Sequence, residues 1–135
     1  MLAFAAILFA GLACAFEDAL HVAPPMTTTR AATPGEVGVS ELKAAVEAGA
    51  FVIDVRTDRE FAGGRVPGAL NIPVDQLGRR ISEVEPHKGS PVYLICATGN
   101  RSGRAALALA GQGYEAFNVV GGTSAWVRAG YPVEQ

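Results

Sequence analysis

The stretch P-V-Y-L-I-C-A-T-G-N-R-S-G-R-A-A-L-A-L, Pro91 to Leu109, decides how this chain folds. Val92 to Ile95 is a four-residue apolar run with a β-branched residue at each end. Its length and composition predict a strand buried on both faces. From Ser102 to Gln112 the chain is rich in Ala and Leu, which lose little conformational freedom in a helix, and Gly113 ends it. Between strand and helix stand Cys96, Ala97, Thr98, Gly99, Asn100 and Arg101. A tight loop of this kind turns backbone N–H groups inward, and the helix N-terminus adds partial positive charge. Both favour thiolate over thiol at Cys96, and the thiolate is the nucleophile. Gly99 gives the loop backbone angles that a larger residue resists. Arg101 adds a permanent positive charge at the loop's end. A cysteine beside a buried strand is often a small core hydrophobe. That reading leaves the Gly, Asn, Arg and Ser that follow without a purpose.

Working outward, the same alternation repeats. Val37 to Val39 reads as a short strand, with Ser40 as N-cap of a helix that carries Leu42, Ala45 and Val46 on one face. Gly49 ends that helix. Phe51 to Val55 is a second buried strand, Thr57 to Ala62 a short helix or turn, and Ala69 to Ile72 a short strand stopped by Pro73. Asp75 to Val84 places Leu77, Ile81 and Val84 on one helical face. Phe117 to Val120 is the last strand, and Gly121-Gly122 leads into a helix from Ser124 to Arg128. Strands alternating with helices predict an α/β fold, a parallel sheet covered on both faces. In such sheets ligands bind beyond the carboxyl ends of the strands, which is where Cys96 falls.

A second stretch, D-V-R-T-D-R-E-F-A-G-G-R-V-P-G-A-L-N-I-P from Asp54 to Pro73, joins C-A-T-G-N-R-S at Cys96 and G-G-T-S-A-W at Gly121. Together, in this order, the three resemble the rhodanese-like domain over residues 36–132. The resemblance implies a three-layer fold with a central, mostly parallel, five-stranded sheet. It further implies single-domain sulfurtransferase chemistry, with the Cys96 loop as the active site and a persulfide carried on its sulfur. The partners so implied are a small sulfur donor such as thiosulfate and a thiol or cyanide acceptor. The inward amides of Ala97 to Ser102 suit that chemistry, because they would hold an anionic sulfur as they would an oxyanion.

Supporting roles follow from spacing. Arg101 has two roles open to it: drawing in an anionic donor, or bracing the loop by pairing with a carboxylate such as Glu60. Ser102 reads as a helix cap. Asp54, Arg56 and Glu60 read as an internal polar network, with Arg56 and Glu60 at helical ion-pair spacing. Trp126 reads as core, His87 as a surface loop residue beside Pro86, and Arg65, where the family commonly has histidine, as a surface position. Ala97 replaces the polar or charged residue that many relatives carry, which makes the loop mouth less cationic. Cysteine phosphatases carry an arginine six positions after the cysteine to clasp phosphate; here that position is Ser102.

Composition narrows the rest. The chain has 135 residues, enough for one domain with a core, is 50% hydrophobic and has a formal net charge of -2, so no basic excess points to nucleic acid. No Cys/His cluster implies a metal, and no dinucleotide fingerprint implies an organic cofactor. Met1 to Ala15 is apolar, lacks charged side chains and ends in Ala13-Cys14-Ala15, a small-x-small pattern. It reads as a secretory signal peptide cut after Ala15, which leaves one cysteine, no internal disulfide and no membrane attachment in a periplasmic or secreted protein. A retained membrane anchor and lipidation at Cys14 are the rival readings. Residues 16–35, with Pro24-Pro25 and three consecutive threonines, read as a flexible leader holding His21. The functional alternative is a non-catalytic sulfur-binding or interaction module of the same fold.

Overall fold

The computed structural model describes residues 33–135; the signal-peptide segment and nearly all of the leader lie outside the described residues. The five strands are β1 (Gly35–Val37), β2 (Phe51–Asp54), β3 (Leu70–Asn71), β4 (Val92–Ile95) and β5 (Ala116–Val119). They lie side by side in the order β1-β5-β4-β2-β3, and every pairing is parallel. The Val92 run is therefore the central strand, buried between β2 and β5 as its composition requires. The helices are α1 (Val39–Glu47), α2 (Asp58–Ala62), α3 (Asn100–Gly111) and α4 (Gly122–Arg128).

Side-chain alternation along the strands divides the core in two. Val52, Ile95 and Val119 point to one face, where Leu42 of α1 and Trp126 of α4 cover them. Ile53, Val92 and Leu94 point to the other, beneath Ala105, Ala106 and Leu109 of α3. Cys96 continues the β4 alternation onto the α3 face and joins that second cluster. A period of two in the strand thus aims the sulfur at the helix that follows it.

Five local expectations are corrected. The first strand lies two residues earlier than its apolar pattern suggests, and Gly38, not Ser40, precedes α1 as N-cap. Gly35 pairs with Phe117 in this register, and a Cβ there would meet the Phe117 ring at 2.4 Å unless the ring moved. The segment read as a helix from Asp75 to Val84 is instead a series of 3-10 turns at Val74–Gln76, Ile81–Glu83 and Glu85–His87. Gly78 lowers its helical propensity, and tandem turns bury Leu77 and Val84 without a continuous helix. His87 closes the last of these turns and stacks on Phe51 with ring centroids 3.6 Å apart, so it is not a free loop residue. Phe51 opens β2, so His87 lies at the end of the sheet opposite the one that carries Cys96. Finally, α3 starts at Asn100, two residues before Ser102.

Candidate active site

The site is built where β4 ends. Gly99 precedes α3 in the left-handed region, at φ +106°, with no side chain capping the helix. That conformation costs glycine little and lets the helix begin early. Ser102 therefore sits inside the first turn of α3 and does not cap it. Its side chain faces the sheet, fully buried.

Backbone and side-chain donors converge on the sulfur. The Gly99 amide donates to Cys96 Sγ at 3.1 Å, and Ser102 Oγ lies 3.3 Å from the same atom. Burial pushes the Cys96 thiol up, but the Ser102 hydroxyl and the amides of Ser102, Thr98 and Gly99 outweigh it. The net result is a thiol held below its ordinary range. Donors to the charged form favour that form. Beyond Ser102, its hydroxyl lies 2.7 Å from Oδ1 of Asn118, a buried residue of β5.

The loop's carbonyls face the other way. Cys96 O accepts from the Thr123 amide at 2.8 Å, and Ala97 O from the Ser124 amide at 3.0 Å. Both amides belong to the first turn of α4, whose N–H groups have no partner inside their own helix. Tying the carbonyls to α4 leaves the following amides free to turn toward the sulfur.

Arg101 is engaged. Its two terminal nitrogens reach the two oxygens of Glu60 at 2.8 and 2.9 Å, a bidentate clasp between α3 and α2. Of the two roles open to it, bracing the loop is the one the geometry realises. Glu60 also closes a capping box with Thr57 at the start of α2. Arg101, followed by the Thr57 amide, holds the Glu60 carboxyl down at about 2. Both side chains are about a third exposed, at 31% and 38%, so the clasp contributes about 1 kcal/mol or less. A depressed carboxyl stabilises the fold above its unfolded value of 4.5 and loses that contribution as pH falls through about 2. The melting-temperature gap between wild type and Glu60→Gln is accordingly expected to be constant at neutral pH and to close across that acid window. A gap that persists at the acid end would show that Glu60 acts by something other than its charge.

Arg56 does not pair with Glu60 as its spacing suggested. It lies before α2, so helical spacing does not apply. Its guanidinium instead takes the fully buried Asp54 carboxylate at 2.7 to 3.1 Å and donates to the carbonyls of Glu60 and Gly64. Asn71 then donates to the carbonyls of Asp54 and Arg56. These bonds pin the end of β2 and the chain around α2 that presents Glu60. Arg65 is half-buried: its guanidinium stacks over Phe61 and its backbone pairs with Glu134. Trp126 is in the core and donates from Nε1 to the Pro132 carbonyl at 2.7 Å.

Of Ala97 to Ser102, the amides of Thr98, Gly99 and Ser102 and the Ser102 hydroxyl face the Cys96 sulfur, while Arg101 turns to Glu60. Asn118 and the α4 amides complete the site and were not singled out from sequence. The signal for Asn118 was available, as a lone amide in the strand A-F-N-V. Among the described residues no group of three or more His, Cys, Asp or Glu side chains is placed to hold a metal ion.

The rhodanese-like domain model matches residues 38–129, most of the chain and all three motifs. The chain belongs to the rhodanese-like domain family. Among its relatives are an uncharacterised Bacillus subtilis protein, YqhL, 47% identical over 57% of this chain, and a sulfurtransferase from Allochromatium vinosum, 39% identical over 62% of this chain. The matches span 60% and 77% of those two proteins, respectively. A crystal structure of a rhodanese-related protein from Thermoplasma volcanium superposes with a TM-score of 0.69 at 31% identity, covering 74% of this chain and 97% of that one. No helix among the described residues is long and apolar enough to cross a membrane.

Proposed function

We propose that this rhodanese-like domain is a sulfurtransferase that carries sulfane sulfur as a persulfide on Cys96. The convergence of the Gly99 amide and the Ser102 hydroxyl on one sulfur carries this reading. In the first half-reaction the Cys96 thiolate attacks the outer sulfur of a donor. A new S–S bond forms, the donor's own sulfur bond breaks, and the leaving group departs with the electron pair, as sulfite does from thiosulfate. In the second, a thiolate or cyanide attacks the terminal sulfur and the Cys96 thiolate is the leaving group. Two covalent half-reactions predict ping-pong kinetics, and no general base is required when the thiolate is already formed. The amides that stabilise the thiolate would hold the persulfide anion equally well.

Ala97 is uncharged and Arg101 is clasped by Glu60, so neither offers an incoming dianion a free cation. That favours a singly charged polysulfide or persulfide donor over the thiosulfate dianion. The apolar Met1–Ala15 segment favours a periplasmic or secreted setting, with its removal leaving Cys96 as the one cysteine.

A second reading, a non-catalytic module that binds sulfur species or another protein, has one observation in its favour: Cys96 is only 1% exposed. A reacting partner must therefore extend a slender sulfur end into the loop. Intact mass spectrometry separates the two readings. On exposure to a polysulfide the purified protein is expected to gain one sulfur atom, and to lose it again on addition of cyanide. A chain whose mass never changes with polysulfide or thiosulfate is a module and not an enzyme. The same spectrum locates the mature N-terminus.

A further inference from the structure

A hydroxyl has one proton, and Ser102 is asked to give it to two acceptors. Its Oγ lies 2.7 Å from Asn118 Oδ1 and 3.3 Å from Cys96 Sγ. While Asn118 presents its carbonyl, it competes with the sulfur for that proton, and the shorter contact takes the larger share. A neutral Cys96 tolerates this arrangement, because its S–H can itself donate to Ser102 Oγ. An anionic sulfur cannot donate and needs the proton. Half a turn of the Asn118 amide supplies it: Nδ2 donates to Ser102 Oγ, and the hydroxyl proton is released toward Sγ.

We infer that Asn118 is a positioning residue whose amide orientation decides whether the Ser102 proton serves the Cys96 sulfur, so that the side chain turns as the sulfur gains charge. The surroundings permit the turn. Ser102 is fully buried and Asn118 is 8% exposed, so water does not substitute freely for either contact. On its other side Asn118 lines an open groove with Thr98, Gly99, Gly103 and Leu107. The amide group turned away from Ser102 can therefore meet solvent in either orientation, and neither leaves a buried polar atom orphaned. Gly103 keeps the space clear, since a Cβ there would come within 3.3 Å of Asn118 Nδ2. The charged groups around this assembly are few. Arg101 of α3 is clasped by Glu60 of α2, Asp54 and Arg56 pair at the end of β2, and Glu36 and Arg104 line the groove. Gly122 and Thr123 of α4 carry no charge. Among the described residues no charged side chain hydrogen-bonds Ser102 or Asn118, so the amide is the polar partner that sets the hydroxyl.

This inference rests on Cys96 being the reactive thiol, yet its test does not require sulfur transfer. The readout is the pH dependence of Cys96 alkylation by iodoacetamide, with folding of each variant checked by circular dichroism. Asn118→Asp offers acceptors only and locks the proton away from the sulfur. Asn118→Leu has similar bulk, neither accepts nor donates, and leaves the hydroxyl free. The alkylation rate at neutral pH is expected to fall about tenfold in Asn118→Asp and about threefold in Asn118→Leu, the scale of a charge-assisted hydrogen bond lost or weakened. The midpoint should move to higher pH in the same order. In a Ser102→Ala background, Asn118→Leu should change nothing further. Packing alone would rank the variants by fit and not by hydrogen-bonding character. The inference fails if Leu and Asp at position 118 behave alike, or if Asn118→Leu has the same effect with and without Ser102. If Asn118→Asp does not fold, the Leu variant with and without Ser102 still decides. A protein that shows the expected order but never gains sulfur would sink the transferase reading and leave this one standing.

Discussion

Cys96→Ser is expected to abolish sulfur transfer while leaving the fold in place. The loss should be at least about a thousandfold in turnover, because the substitution removes the covalent route and not one contact along it. The reason lies in what the loop can ionise. The amides of Thr98, Gly99 and Ser102 and the Ser102 hydroxyl suffice to bring a thiol below its ordinary range. The same donors cannot bring an alcohol near ionisation at neutral pH, so the introduced serine would remain a neutral hydroxyl. It would also lack the soft, polarisable atom that sulfane sulfur bonds to. The structural cost should be small. The new hydroxyl is smaller than the thiol, and the Gly99 amide already points at its position, so it is not left unpaired. The experiment pairs a donor-to-cyanide assay with a thermal melt. Lost activity with a melting temperature near wild type assigns the chemistry to this sulfur. Transfer that survives in Cys96→Ser would place the carried sulfur elsewhere. Cys14, outside the described residues, would then be the remaining thiol to test.

The place of Cys96 between strand and helix was legible in the sequence for a definite reason. A four-residue apolar run followed by a glycine-bearing polar turn and an Ala/Leu helix has few ways to fold, and Cys96 sits at the junction in all of them. The alternation that made the sheet parallel was equally local, and β4 falls where its composition put it. The missing parts were those that depend on contacts distant in sequence. Asn118 is sixteen residues from Ser102, and nothing near it announces that its strand neighbours the cysteine strand. Glu60 is forty-one residues from Arg101. It was named as one carboxylate that Arg101 could clasp, while the four-residue spacing to Arg56 also suggested a pair that does not form. The helix expected between Asp75 and Val84 failed differently. Its apolar spacing fits tandem 3-10 turns as well as an α-helix, and a glycine in the middle tips the balance. Ser102 was misplaced because a left-handed Gly99 can start a helix without any side-chain cap, so the usual Ser signal pointed to the wrong residue.

Gly122→Ala is the variant expected to damage the scaffold most. Gly122 opens α4 at φ +57°, and a Cβ built there would lie 2.3 Å from Cys96 O and 2.6 Å from Ala97 O and C. These are backbone atoms at the root of the loop, which cannot swing aside as a long side chain could. They are also the carbonyls that the Thr123 and Ser124 amides hold. Making room for one methyl group therefore means prising α4 from the loop and breaking both bonds. Freed carbonyls would let the peptide planes of Ala97 and Thr98 rotate, and the Thr98 amide would leave the sulfur. Overpacking together with the left-handed backbone is expected to cost about 3 kcal/mol of stability. Gly49→Ala separates the two contributions. Gly49 has φ +84° but nothing within 4 Å of its Cβ position, so only the backbone strain applies, about 1 kcal/mol. Chemical denaturation of the three proteins gives the stability order, and alkylation of Cys96 gives the electrostatic one. Gly49→Ala should lose a little stability and keep the wild-type thiol reactivity, since it lies at the far end of α1. Gly122→Ala should lose both, with its alkylation profile moving toward that of an ordinary thiol. If Gly122→Ala were destabilised yet kept wild-type reactivity, the α4 amides would not be what orients the loop, and the sulfur would owe its character to α3 alone.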